Sequence, residues 1–104
     1  DASEAVFLRS VQDAAKAAEW LVFHPVPAQV RPGLWRSDGK GFPDLVMAHP
    51  KRGVIFAELK TATGRMTPDQ KTWAACLAPH VEYYLWTPKD MANIVKRLWH
   101  TPTR

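Results

Sequence analysis

Residues 44–60, DLVMAHPKRGVIFAELK, decide how this chain folds. Asp44 to His49 and Val54 to Lys60 read as two strands, apolar and rich in β-branched residues, with only Pro50-Lys51-Arg52-Gly53 between them. So short a connection makes the pair an antiparallel hairpin. The end of the second strand, Glu58-Leu59-Lys60, therefore lies beside the start of the first, at Asp44. Side chains alternate along a strand, so Glu58 and Lys60 share one face and Leu59 points to the other. One end of the hairpin gathers two carboxylates and an ammonium.

On the N-terminal side of the hairpin, Phe7, Val11, Ala14, Ala15 and Ala18 recur at spacings of three and four, which predicts an amphipathic helix over 3–19. Glu4 falls on the inward stripe of that helix. Trp20 to His24 is aromatic and β-branched and closes at Pro25, which predicts a strand. Residues 25–40 show no period of either kind and read as a long functional or mobile loop.

On the C-terminal side, Thr67 is a strong N-cap, Pro68 suits the first helical position and Asp69 complements the helix dipole, predicting a helix to about Ala78. Gln70, Trp73, Ala74 and Leu77 share one of its faces. Val81 to Thr87 reads as a further strand. Pro88 and Asp90 open a last helix carrying Met91, Ile94, Val95 and Leu98 at helical spacing. The order α-β-β-β-α-β-α predicts an α/β fold: a mixed sheet flanked by helices, with a right-handed β-α-β crossover and a C-terminal helix.

With 104 residues the chain makes one domain spanning 1–104, and 46% hydrophobic residues exclude a disordered polymer. A net charge of +4 and a pI near 9.5 are compatible with a polyanionic partner. The one cysteine, Cys76, excludes an internal disulfide framework and a zinc-finger cluster. No run approaches the length of a membrane span, and no secretory signal is recognisable. A cytoplasmic location is the expectation.

The chemistry expected at the hairpin end follows from charge. Two carboxylates forced together repel, and one stays protonated unless a cation intervenes. A hard divalent ion, Mg²⁺ or Mn²⁺, with Asp44, Glu58 and the Leu59 backbone carbonyl as oxygen ligands, resolves the repulsion. Such an ion binds a phosphodiester oxygen and activates water, while Lys60 orients the nucleophile or neutralises charge at phosphorus. Gln70 and Glu4, each a polar residue on an otherwise apolar stripe, point toward the same place. Glu4 also reads as a first-turn acid favoured by the helix dipole, and Gln70 as a residue bonded to backbone only.

The segments Gly41-Phe42-Pro43-Asp44-Leu45-Val46, Phe56-Ala57-Glu58-Leu59-Lys60 and Thr67-Pro68-Asp69-Gln70 with Trp73 resemble the PD-(D/E)xK nuclease superfamily, and within it the VRR-NUC branch of short stand-alone phage and bacterial proteins. The resemblance runs from Ser3-Glu4 to Pro88. It implies a restriction-endonuclease-like α-β-β-β-α-β core that cuts DNA with Mg²⁺ or Mn²⁺. By position Asp44 and Glu58 are its metal ligands, Lys60 its catalytic lysine, Gln70 its helix glutamine and Glu4 its first-helix acid. The first helix departs from the family where Val6 and Leu8 replace polar residues.

Arg31, Arg36, Lys40, Arg65 and Lys71 are the candidate DNA-phosphate contacts. Lys51 and Arg52 lie at the far end of the hairpin and are set aside. His24 reads as structural or as a DNA contact, and the tryptophans mostly as core, apart from Trp35 in the basic loop. The expectation is a structure-selective, homodimeric DNA endonuclease acting on branched, flapped or nicked DNA or on Holliday junctions. Its alternative is a DNA-binding module that keeps the fold without turnover or depends on a partner.

Overall fold

A computed structural model describes residues 2–25, 29–31, 34–35 and 39–101, with backbone alone at 2–3, 29–31 and 34–35. The elements in chain order are α1 (Ala2–Ala17), β1 (Leu21–Phe23), β2 (Gln29–Arg31), β3 (Leu34–Trp35), β4 (Leu45–His49), β5 (Gly53–Leu59), α2 (Pro68–Leu77), β6 (Glu82–Trp86), a 3₁₀ turn (Pro88–Asp90) and α3 (Met91–Trp99). The main sheet has the order β1-β4-β5-β6. β1, β4 and β5 are antiparallel neighbours, and β6 returns parallel to β5 after the α2 crossover. The fold is α/β with a mixed sheet and a C-terminal helix. No helix among the described residues is long and apolar enough to cross a membrane.

The β4–β5 hairpin turns over Pro50, Lys51 and Arg52, and pairs His49 with Gly53. Gly53 has φ 106°, a conformation that favours glycine. The His49 ring closes the turn by accepting the N–H groups of Lys51 and Arg52 at its Nδ1. Each residue of β4 is thereby locked opposite a fixed residue of β5, Leu45 against Ala57 and Met47 against Ile55.

That register sorts the sheet into two faces. Leu45, Met47, Ile55, Ala57, Leu59 and Trp86 form one, packed against Phe7, Val11 and Ala15 of α1, Ala18 just after it, and Ile94 and Leu98 of α3. This is the core. Trp20 is pinned into it by an Nε1–H bond of 2.8 Å to the Leu98 carbonyl. The other face carries Val46, Phe56, Glu58 and Tyr83, and α2 covers only part of it. Gln70, Trp73, Ala74 and Leu77 are the half-buried residues of that helix, and none is fully buried. Phe42 bridges from sheet to helix, edge-on to Phe56 and to Trp73 with ring centroids 6.1 and 4.9 Å away. Farther along this face Leu21, Phe23 and Val54 are exposed.

Three expectations need correction. The stretch 25–40 is not without regular structure: β2 and β3 pair antiparallel as a separate two-stranded sheet. Strands of three and two residues are too short to leave a period in the sequence. Val95 is exposed on α3, whose buried stripe is confined to Ile94 and Leu98. Trp99 is likewise 46% exposed rather than core, at the end of that helix with the Arg52 guanidinium over its ring.

Candidate active site

Asp44 lies one residue before β4, and the register that pairs Leu45 with Ala57 brings it opposite Glu58. Two contacts fix it. Its Oδ2 accepts the Leu59 N–H at 2.8 Å, and its backbone carbonyl is bonded to His24 Nδ1 at 2.6 Å, which requires the proton on that nitrogen. His24 is thus a brace from the end of β1 to the backbone of Asp44. The N–H and C=O of one strand residue point to the same edge. Lys60 N–H donates to the Trp86 carbonyl, toward β6, and Leu59 presents both its groups toward Asp44. The Leu59 carbonyl therefore opens on the side where the carboxylates meet.

Among the described residues Glu58 is the one buried charged side chain, 1% exposed. Its Oε2 accepts from Gln70 Nε2 at 3.0 Å and lies 3.7 Å from Lys60 Nζ, whose side chain is itself only 15% exposed. These contacts do not offset its surroundings. Burial, then the charge of Asp44 and a hydrogen bond with it, push the Glu58 carboxyl up to about 8, against the opposing pull of Lys60. Glu4 adds to the rise. Its protonated form is thereby favoured beside Asp44, in the position where a cation would serve the same purpose.

The predicted residues are brought together in part. Asp44, Glu58, Lys60, the Leu59 carbonyl and Gln70 converge. Glu4 is exposed rather than turned inward, yet its charge is felt at Glu58, so it stands at the rim of the site. Gln70 bonds both ways: Nε2 reaches Glu58, while Oε1 accepts the Thr67 N–H at 2.8 Å and the Gln70 N–H returns to Thr67 Oγ1, a complete capping box. One side chain therefore caps α2 and ties it to the buried carboxylate.

Among the candidate phosphate contacts, Lys40 is exposed and 3.7 Å from Asp69, Arg65 is exposed on the segment between Lys60 and α2, and Lys71 is exposed on α2. Arg36 lies outside the described residues, as does the side chain of Arg31. Arg52, at the opposite end of the hairpin, donates to the carbonyls of Ala18 and Leu98 and so closes the C-terminal ends of α1 and α3.

Two features were missed in the sequence. The loop before Asp44 is clasped to α2: Trp73 Nε1–H donates to the Lys40 carbonyl at 3.1 Å, and a Cβ on Gly41, φ 87°, would stand 2.5 Å from the Asp69 carbonyl carbon. The Thr67-x-x-Gln70 spacing was a legible sign of the capping box. The second feature is Tyr83. Paired with Phe56, it shares the face of Glu58, and burial followed by the charges of Glu58 and Asp44 raises its phenol above the ordinary range. A strand paired through a crossover gives no local sign of which of two adjacent tyrosines faces the site.

The oxygen set fits a hard divalent ion. A buried carboxylate beside a half-buried one needs a counter-charge when both are ionised, and two carboxylates with one backbone carbonyl leave positions for water, as Mg²⁺ and Mn²⁺ prefer. Among the described residues no three His, Cys, Asp or Glu side chains form a metal-binding group. Compared with known proteins, the chain matches no family model, no curated protein and no solved structure.

Proposed function

We propose that this protein is a metal-dependent DNA endonuclease of the VRR-NUC type. The observation that carries the reading is Glu58: a carboxylate 1% exposed, set against Asp44, with Lys60 and Gln70 on its remaining side. A fold gains no stability from burying a carboxyl group against a second one, and such arrangements are characteristic of sites that work on a substrate.

Asp44 and Glu58, with the Leu59 carbonyl, would hold Mg²⁺ or Mn²⁺. When bound, that ion supplies Lewis acidity at a phosphodiester oxygen and at water. The chain's own groups do the rest. Gln70 fixes the orientation of Glu58, and the Leu59 N–H fixes that of Asp44. Lys60, held by Glu58, directs its ammonium at the attacking water or at the charge that accumulates on phosphorus. Hydrolysis breaks one P–O bond, and the resemblance implies a 5′-phosphate product.

The net charge of +4, with Lys40, Arg65 and Lys71 exposed near the site, supports a polyanionic substrate. A single small domain has little surface for a long sequence footprint. Selection by DNA structure, at branches, flaps, nicks or Holliday junctions, is therefore favoured. Paired cuts at a junction call for two copies of the chain.

The test incubates the protein with supercoiled plasmid and with a labelled four-way junction in Mg²⁺, Mn²⁺ or EDTA, beside Lys60→Ala. Cutting that requires the metal and is lost in the variant is the expected result. Binding of DNA without cutting in any metal would instead make the chain a binding module or a partner-dependent enzyme.

A further inference from the structure

The two adjacent tyrosines of β6 are treated differently by the fold. Tyr84 faces away from Glu58, stacks on Trp86 with centroids 5.1 Å apart, and donates its hydroxyl proton to Glu82 Oε2 at 2.6 Å. Its donor is used. Tyr83 lies on the face of Glu58, half-buried, and among the described residues its hydroxyl makes no hydrogen bond. A half-buried phenol ordinarily finds an acceptor. Neither Glu58 nor Asp44, whose charges both reach this phenol, accepts its proton.

We propose that the Tyr83 hydroxyl is a substrate-contacting donor that hydrogen-bonds a non-bridging oxygen of the phosphodiester held at the Asp44–Glu58 end of the sheet. The inference rests on the nuclease reading for the identity of the acceptor. A phosphodiester brings anionic oxygens, acceptors for a hydroxyl that has no competing partner among the described residues. A phenol suits this role beside two carboxylates because it is neutral: it donates without adding to the site's charge, where Lys60 already supplies the cation. Its proton stays in place throughout, so Tyr83 positions the phosphate and takes no part in proton transfer.

The test is Tyr83→Phe, which keeps the ring and its packing, with Tyr84→Phe as the control. DNA affinity is measured by fluorescence anisotropy in Ca²⁺, and cleavage in Mn²⁺, on oligonucleotides with a phosphate or a methylphosphonate at the cut position. For Tyr83→Phe, unchanged thermal stability and a loss of about tenfold or more in affinity or kcat/KM are expected, the worth of one hydrogen bond from a neutral donor to a charged acceptor. The loss should vanish on the methylphosphonate isomer that lacks the bonded oxygen, which a purely structural role would not produce. If the variant binds and cuts as the parent does, the Tyr83 assignment is overturned while the nuclease reading stands. A parent that never cuts but shows the Tyr83-dependent, oxygen-specific affinity overturns hydrolysis and keeps the contact. A parent that neither cuts nor binds overturns both.

Discussion

The carboxamide of Gln70 is shared between two jobs: Oε1 accepts from the Thr67 backbone at the start of α2, and Nε2 donates to the buried Glu58 at 3.0 Å. Stability and site geometry therefore run through one side chain. Gln70→Ala should cost about 1–2 kcal/mol, from the lost cap and the lost partner of a buried carboxylate. Gln70→Glu can still accept the Thr67 N–H, but it sets a third carboxylate against Glu58. Urea denaturation should show the glutamate variant recovering stability below the carboxylate range and losing it at neutral pH.

Glu58 also predicts an unusual pH profile. In the unfolded chain its carboxyl ionises near 4.5 and in the folded protein near 8, so between those values the native state holds the proton more tightly. Its contribution to stability is complete below 4.5 and is lost as the pH rises through about 8. In EDTA, Tm should fall across this window. Glu58→Gln should flatten it and be more stable than the parent at pH 8. Added Mn²⁺ should stabilise the parent more as the pH rises, because only the ionised pair binds it.

At the other extreme of pH, Glu82 governs. Burial raises its carboxyl, but hydrogen bonds from Arg97 and Tyr84 and the charge of Arg97 outweigh that and hold it below its ordinary value. This stability is present above the unfolded value and is lost as the pH falls through the folded one. Arg97 also donates to the Arg52 and His100 carbonyls, so it binds β6, the hairpin turn and the end of α3 together. Arg97→Ala should cost roughly 3 kcal/mol in chemical denaturation, and Arg97→Lys should restore little, since an ammonium cannot reproduce the fork. Glu58→Gln should leave this acid limb unchanged.

Gly41 is tight against the first turn of α2. Its φ of 87° and the 2.5 Å that a Cβ would leave to the Asp69 backbone mean that Gly41→Ala must move either the loop or the helix. The loop leads into Asp44 and the helix carries Gln70. A loss of about 2 kcal/mol in stability is expected, with a larger proportional loss of cleavage than Tm alone accounts for. Gly39→Ala meets no atom within 4 Å, so its cost should come from its own φ of 78° alone and spare the site geometry.

The hairpin and its charged end were legible because a short turn fixes register, and register fixes which side chains share a face. α1 and the start of α2 were legible for the same kind of reason: helical spacing and the Thr67-Pro68 cap are local. What escaped was set at longer range. The parallel pairing of Phe56 with Tyr83 depends on the whole α2 crossover, so neither tyrosine could be assigned to the site from sequence. Glu4 has the spacing of an inward residue, but in the first turn of α1 it is not covered by the sheet and stays exposed. β2 and β3 are shorter than any period that a sequence can display.

Whether the Asp44–Glu58 pair holds a divalent cation for phosphodiester chemistry is tested most directly by Mn²⁺ binding. Titrating Mn²⁺ at pH 7.5 and following the free-ion electron paramagnetic resonance signal should show saturable binding to the parent chain, with proton release as Glu58 ionises. Binding should be lost in Asp44→Asn and Glu58→Gln and kept in Lys60→Ala, which fails to cut. Equal Mn²⁺ uptake by the parent, Asp44→Asn and Glu58→Gln would contradict the account.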